Sequence, residues 1–79
     1  MVLELVAAGL TNKEIGEALC VSPHTARTHV ERIADRLGIR NRTTMSAFAL
    51  VRGLVSHERI EALWGVYHPE LVESLWLRD

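Results

Sequence analysis

The sequence predicts an all-α fold, and three observations carry that expectation. Apolar side chains recur at helical spacing, most clearly at Ala26, Val30, Ile33, Ala34 and Leu37, which fall on one face of a single helix. Helix-start chemistry stands at Thr11 and again at Ser22-Pro23. The two helices so defined are separated by only about three residues, too few for an antiparallel return, so a sharp corner of the helix-turn-helix kind is expected.

Taken in order, Val2, Leu3, Leu5 and Val6 supply the apolar side of a first helix that Gly9 ends. Thr11 with Glu14 three residues on forms a capping box: the hydroxyl accepts from the Glu14 amide while the carboxylate reaches back to the Thr11 amide. Ile15, Ala18 and Leu19 then form the inward stripe of the second helix, and Cys20 and Val21 close it. Gly16 within it costs up to about 1 kcal/mol of helix propensity. Ser22 caps the third helix, Pro23 occupies its first position, where a missing N–H is harmless, and Gly38 ends it in the left-handed conformation.

Arg40-Asn41-Arg42 is a basic turn before a fourth helix, which either Asn41 or Thr43 can cap. That helix carries two apolar faces, one of Ala47, Leu50, Val51 and Leu54, the other of Met45, Phe48 and Ala49 with Arg52. Either the C-terminal segment covers the second face, or that face is a dimer seam. In the segment from Ser56 to Asp79, residues His57 to Trp64 read as a helix with Ile60, Leu63 and Trp64 inward, interrupted at Gly65. His68-Pro69 marks a turn with Pro69 starting another short helix, whose stripe is Leu71, Val72, Leu75 and Trp76. This apolar and acidic extension is expected to pack on the first helix, on the fourth, or on a second copy. Binding a protein partner is its competing use.

The outer face of the third helix carries the chemistry. Its first two turns present His24, Arg27, Thr28 and Glu31, with Asp35 further along and Arg32 and Arg36 flanking. Residues near the start of a recognition helix meet base edges in the major groove. Arg pairs bidentately with guanine, Glu accepts from cytosine, and Thr bonds a base or touches a thymine methyl.

Composition bounds the alternatives. A chain of 79 residues, 48% of them apolar, supports one small folded domain rather than disorder. The formal charge of −1 is unevenly spread. Residues 1–54 hold seven basic and five acidic side chains, whereas residues 55–79 hold two basic and five acidic. A local basic patch can meet phosphates although the sum is near neutral. His24, His29, His57 and His68 form no metal-like cluster with Cys20 or carboxylates, and the five glycines are scattered, so neither a metal site, a cofactor nor catalysis is expected. His29 is expected as a structural histidine, and Cys20 as a small core residue rather than a redox sensor. A single cysteine excludes an internal disulfide and fits a reducing cytoplasm. No signal-peptide pattern or membrane-length apolar run is present.

The run from Gly9 to Thr43 resembles the LuxR-type (GerE-like) helix-turn-helix domain of bacterial transcription regulators. The likeness rests on Gly9, Thr11-Asn12-Lys13-Glu14-Ile15, Leu19, Val21-Ser22, Thr25, Arg27, His29-Val30, Ile33, Leu37-Gly38, Asn41-Arg42 and Arg52-Gly53-Leu54. It implies a four-helix LuxR-type domain over residues 1–55, with a truncated first helix and a C-terminal extension of one or two short helices over 56–79. It implies a sequence-specific regulator that binds double-stranded DNA through a recognition helix at about 23–37, and a homodimer often formed through the fourth helix. His24, Arg27, Thr28 and Glu31 are then base-facing, while Lys13, Thr25 and Arg42, with the flanking Arg32, face the DNA backbone. The chain departs from the family pattern at Gly16 and Ala26, where Ala and Val are common, and at Glu31, where the residue is often basic or polar. A protein-interaction module that keeps the fold and binds another regulator or RNA polymerase is the alternative.

Overall fold

The computed structural model describes residues 2–77, with side-chain surroundings given through Glu73. Those residues form six helices and no strand: α1 (Val2–Ala7), α2 (Asn12–Leu19), α3 (Pro23–Leu37), α4 (Arg42–Val51), α5 (His57–Tyr67) and α6 (Pro69–Leu77). This is the all-α architecture that the sequence predicts.

Short α1 is the hub. It packs on α4 and also touches α2, α3 and α5; α2 packs on α3, and α6 on α5. Leu5, Val6 and Ala8 therefore sit at the centre of the core, joined by Leu10, Ile15, Ala26, Val30, Ala34, Met45 and Ala49. Leu10 and Ile15 are wholly buried, each gaining about 2–3 kcal/mol from removal of its side chain from water. From the extension, Ile60 and Leu63 enter the same core, as does Val55 before it.

Local chemistry explains the helix limits. The capping box at Thr11 forms as expected. Ser22 Oγ accepts from the Thr25 amide at 3.1 Å, and Pro23 opens α3. At α4 the two candidate caps resolve to Asn41, whose Oδ1 accepts from the amides of Thr43 (2.8 Å) and Thr44 (3.2 Å). Ser56 caps α5 through the Arg59 amide at 3.1 Å.

Several expectations are corrected. Gly65 does not interrupt α5, which runs on to Tyr67. An interior Gly costs only about 1 kcal/mol against Ala, and the real stop is His68, followed by Pro69 at the start of α6. Ala18 is exposed and does not share the stripe of Ile15 and Leu19. Cys20 is exposed too: it is the C-cap of α2 in the left-handed region (φ 59°), which turns its side chain out of the core. Of the three docks expected for the extension it takes α1, leaving Ala47 and Val51 of α4 and Leu54 just beyond it uncovered, with Val51 84% and Leu54 54% exposed. The expected stripe on α6 includes Leu75 and Trp76, whose side chains lie outside the described residues.

The docking of α5 is specific. Trp64 Nε1 donates to the Ala8 carbonyl at 2.8 Å, just past the end of α1. Arg59 pairs with Glu4 at 3.4 Å across the same contact. At the α5–α6 joint, His68 Nε2 lies 3.5 Å from Glu14 Oε1, and its Nδ1 lies 3.2 Å from Glu70 Oε1.

Candidate nucleic-acid interface

The α2–α3 corner is tight because Gly16 makes room for it. A Cβ at position 16 would stand 2.7 Å from the Val21 carbonyl oxygen and 3.2 Å from backbone atoms of Ser22. The Val21 amide also donates to the Gly16 carbonyl at 2.9 Å. Gly16 costs helix propensity, but its lack of a side chain is what lets the turn lie against α2.

From that corner α3 projects with Ala26, Val30 and Ala34 buried beneath it and Ile33 and Leu37 partly buried at the sides. His24, Arg27 and Glu31 are exposed on the opposite face, and Thr28 is half-buried among them. The Thr28 hydroxyl donates to the His24 carbonyl at 3.2 Å, which leaves its oxygen lone pairs able to accept. Arg27 Nε lies 3.5 Å from Glu31 Oε1, one helical turn on.

Between α3 and the starts of α2 and α4 lies an open cleft of about 330 Å³, with Val30, Ala34 and Met45 at its base and Asn12, Arg27, Glu31, Arg40 and Arg42 around it. All three of its guanidinium groups have a partner within the chain, Arg27 in Glu31 and the other two as follows. Arg40 Nη1 pairs with Asp35 at 2.8 Å. Arg42 Nη1 donates to the Leu10 carbonyl at 2.8 Å, and its Nη2 donates to Asn12 Oδ1. Arg42 thus ties the start of α4 to the junction of α1 and α2. Sequence reasoning gave Asn12 no role, because its partner lies 30 positions away.

The other sequence-predicted residues are spread out. Lys13 is exposed in the first turn of α2, and Thr25 is exposed in the first turn of α3, beside Ser22. Arg32 is exposed on another side of α3, where it borders a recess with Val2, His29, Ile33 and Arg36. It does not join the cleft formed by Arg27, Glu31 and Arg42. His29 is half-buried in that recess. Cys20 stands exposed on the corner itself.

One ionisable group in the corner is displaced from its ordinary behaviour. The Glu14 carboxyl is held below its usual value of 4.5, chiefly because the Thr11 amide donates to it; that bond is 2.9 Å long. Partial desolvation opposes the shift, and the nearby His68 and the Thr11 hydroxyl add to it. Among the described residues, no three His, Cys, Asp or Glu side chains come together to hold a metal ion. No described helix is long and apolar enough to cross a membrane.

Comparison with known proteins shows the family. Residues 1–49 match the family described as "Bacterial regulatory proteins, luxR family". The chain is 43% identical over 54 residues to the uncharacterized transcriptional regulatory protein YxjL of Bacillus subtilis, covering 68% of this chain and 25% of that protein. It is 40% identical over 55 residues to the transcriptional regulatory protein LiaR of Bacillus subtilis, covering 70% of this chain and 26% of that protein. It is 48% identical over 42 residues to the putative HTH-type transcriptional regulator YhjB of Escherichia coli, covering 53% of this chain and 21% of that protein. The chain spans about a quarter of the length of the first two of these relatives. No solved structure matches it.

Proposed function

The chain belongs to the LuxR family of bacterial regulatory proteins, and from that premise we propose that it is a sequence-specific, double-stranded DNA-binding part of a transcription regulator. The observation that carries this reading is the outer face of α3. His24, Arg27 and Glu31 stand exposed, with Thr28 half-buried among them, on a helix whose other side is packed in the core. An α-helix presented in this way fits the major groove, where its first turns meet base edges. His24, Arg27, Thr28 and Glu31 take the base-facing positions. Lys13, Thr25, Arg32 and Arg42 take backbone-facing ones, Arg42 while also bracing the scaffold. The protein works without catalysis, in the cytoplasm.

Residues 1–55 form the DNA-reading unit in this proposal, and residues 56–79 a bracing extension. The apolar ridge of Ala47, Val51 and Leu54, which the extension leaves uncovered, serves as the seam of a homodimer. Two copies then address half-sites about 34–36 Å apart, one turn of the duplex.

Selection from a randomised duplex pool at fixed, stated salt tests the proposal. The expected result is enrichment of one motif, with affinity that falls steeply as salt rises. Arg27→Ala is expected to cost about 1–3 kcal/mol and to relax preference at one base pair. Equal loss on every sequence would assign Arg27 to phosphate instead. One feature favours a second use: the extension is net acidic and exposes Val66 (72%) and Leu71 (41%), a surface suited to a protein partner. Salt-insensitive binding to another regulator or RNA polymerase, with no retention on DNA, would establish that use in place of DNA reading.

A further inference from the structure

Glu31 is an unusual residue to find on this face. A carboxylate pointed at a polyanion lowers affinity for any duplex, since every phosphate contact is electrostatic. Its pairing with Arg27 does little for the fold, because both side chains are well exposed, at 66% and 59%, and exposed pairs of this kind add little to stability. What the pair does is set a carboxylate beside the guanidinium, 3.5 Å away. The nearest atoms are Arg27 Nε and Glu31 Oε1, so the carboxylate occupies the Nε edge of the planar group. The Nη1–Nη2 edge is left open, with two parallel N–H donors of the kind that guanine O6 and N7 accept together. The other two guanidinium groups at the cleft, Arg40 and Arg42, are turned to Asp35 and to Leu10 and Asn12.

We propose that Glu31 is a positioning residue for base recognition: it holds Arg27 with its terminal edge forward to read one guanine, and does not itself read a base. The proposal rests on the DNA-binding reading above. Its physical content is a trade. Glu31 lowers affinity for all DNA through its charge, and raises discrimination by restricting the Arg27 rotamers that would otherwise settle on a phosphate or another base.

The trade gives opposite signs for two measurements. The full 79-residue chain and its Arg27→Ala, Glu31→Ala, Glu31→Gln and doubly substituted (R27A/E31A) forms are each used to select from a randomised duplex pool at one salt concentration. Retention on a fixed non-specific duplex is measured alongside. Glu31→Ala is expected to bind the non-specific duplex several-fold more tightly, yet to lose about twofold in base discrimination, at the same base pair that Arg27→Ala loses. Glu31→Gln keeps an acceptor near Nε and is expected to retain part of that discrimination. Adding Glu31→Ala to Arg27→Ala is expected to change nothing further at that base pair. Melting temperatures check that the fold is unaltered, as both side chains are exposed.

Loss at a different base pair, persisting without Arg27, would make Glu31 an independent reader and overturn the proposal. Tighter non-specific binding with no change in any base preference would reduce Glu31 to simple repulsion, and also overturn it. Failure of the unsubstituted chain to enrich any motif would sink the DNA-binding reading itself. That result is distinguishable because it shows before any variant is compared.

Discussion

The α2–α3 corner and the α5–α6 arm are both helix pairs joined by a short turn, yet they are held by different kinds of contact. Within the corner, apart from Arg42 on Asn12 and His68 on Glu14, the fixing contacts are local. Thr11 caps through Glu14, Ser22 through Thr25, and the turn closes on Gly16 within five residues of Val21. The arm has a local cap at Ser56, but its place on the molecule is set from far away, by Trp64 on Ala8, Arg59 on Glu4 and His68 on Glu14. A corner built from its own neighbours can leave one whole helix face free for a ligand. An arm located by distant partners must bury its apolar side against them, and it does so on α1.

The largest expected effect breaks the corner. Gly16→Val places a branched side chain where even a Cβ would stand 2.7 Å from the Val21 carbonyl. The obstacle is backbone, so the turn itself must move, at a cost of about 3 kcal/mol. Thermal or urea unfolding measures it. Gly16→Ala should cost less, since the gain in helix propensity of about 1 kcal/mol offsets part of the displacement. If Gly16→Val melted with the parent, the close approach at the corner would be immaterial.

The next effect breaks the arm and spares the corner. Trp64→Ala removes the bond to Ala8 and the packing of a half-buried ring beside Leu50 and Ile60. Half the usual penalty for deleting a buried Trp is about 2 kcal/mol. Limited proteolysis should then cut within residues 56–79 first, while capping and helicity of α2 and α3 persist. Equal loss of protection in both regions would mean that arm and corner unfold as one unit.

The same division decides what was legible in the sequence. Thr11, Glu14, Ser22 and Pro23 are readable because their partners lie within four positions, and the buried face of α3 is readable because helical period alone sets it. The exposed placement of His24, Arg27 and Glu31 on that face was legible for the same reason. The rest depended on distance or backbone geometry. Gly16 read as a weakness because the Val21 carbonyl it accommodates is visible only once the turn is closed. Cys20 read as core because its left-handed backbone, which turns it outward, has no glycine to announce it. The bracing role of Arg42 was not legible, because neither the Leu10 carbonyl nor Asn12 is near it in sequence. The choice of α1 over α4 as the arm's dock had no local signal, since both helices offer apolar faces.

Caps compare the two regions on equal terms. Ser22→Ala and Ser56→Ala each remove one side-chain acceptor from a helix start, at 3.1 Å in both cases. Each should cost about 1 kcal/mol. Ser22→Ala also gives up a 3.0 Å bond to the Thr25 hydroxyl, but the larger difference lies in the consequences. At α3, fraying releases the turn that bears His24, so duplex retention should fall along with stability. At α5, fraying touches the arm alone, and duplex retention at low salt should hold. Equal loss of retention in both variants would place the arm within the DNA-reading unit.

The smallest effect is one of pH, and it falls where the two regions meet. Glu14 closes the capping box of α2 and also faces His68 at the joint of the arm. Its carboxyl is held below the ordinary 4.5, first by the Thr11 amide, with His68 contributing. A folded-state pKa lowered in this way contributes stability that is present above the unfolded value. That stability is lost as pH falls through the lowered, folded one. Melting temperature should therefore drop through the window below pH 4.5, and this component should be missing in Glu14→Gln, which keeps a capping acceptor but has no proton to gain. Trp64 fluorescence locates the consequence. If the arm loosens over the same window, Glu14 couples it to the corner through His68. If only the helicity of α2 falls, the bond from Thr11 carries the whole effect and the two regions titrate independently.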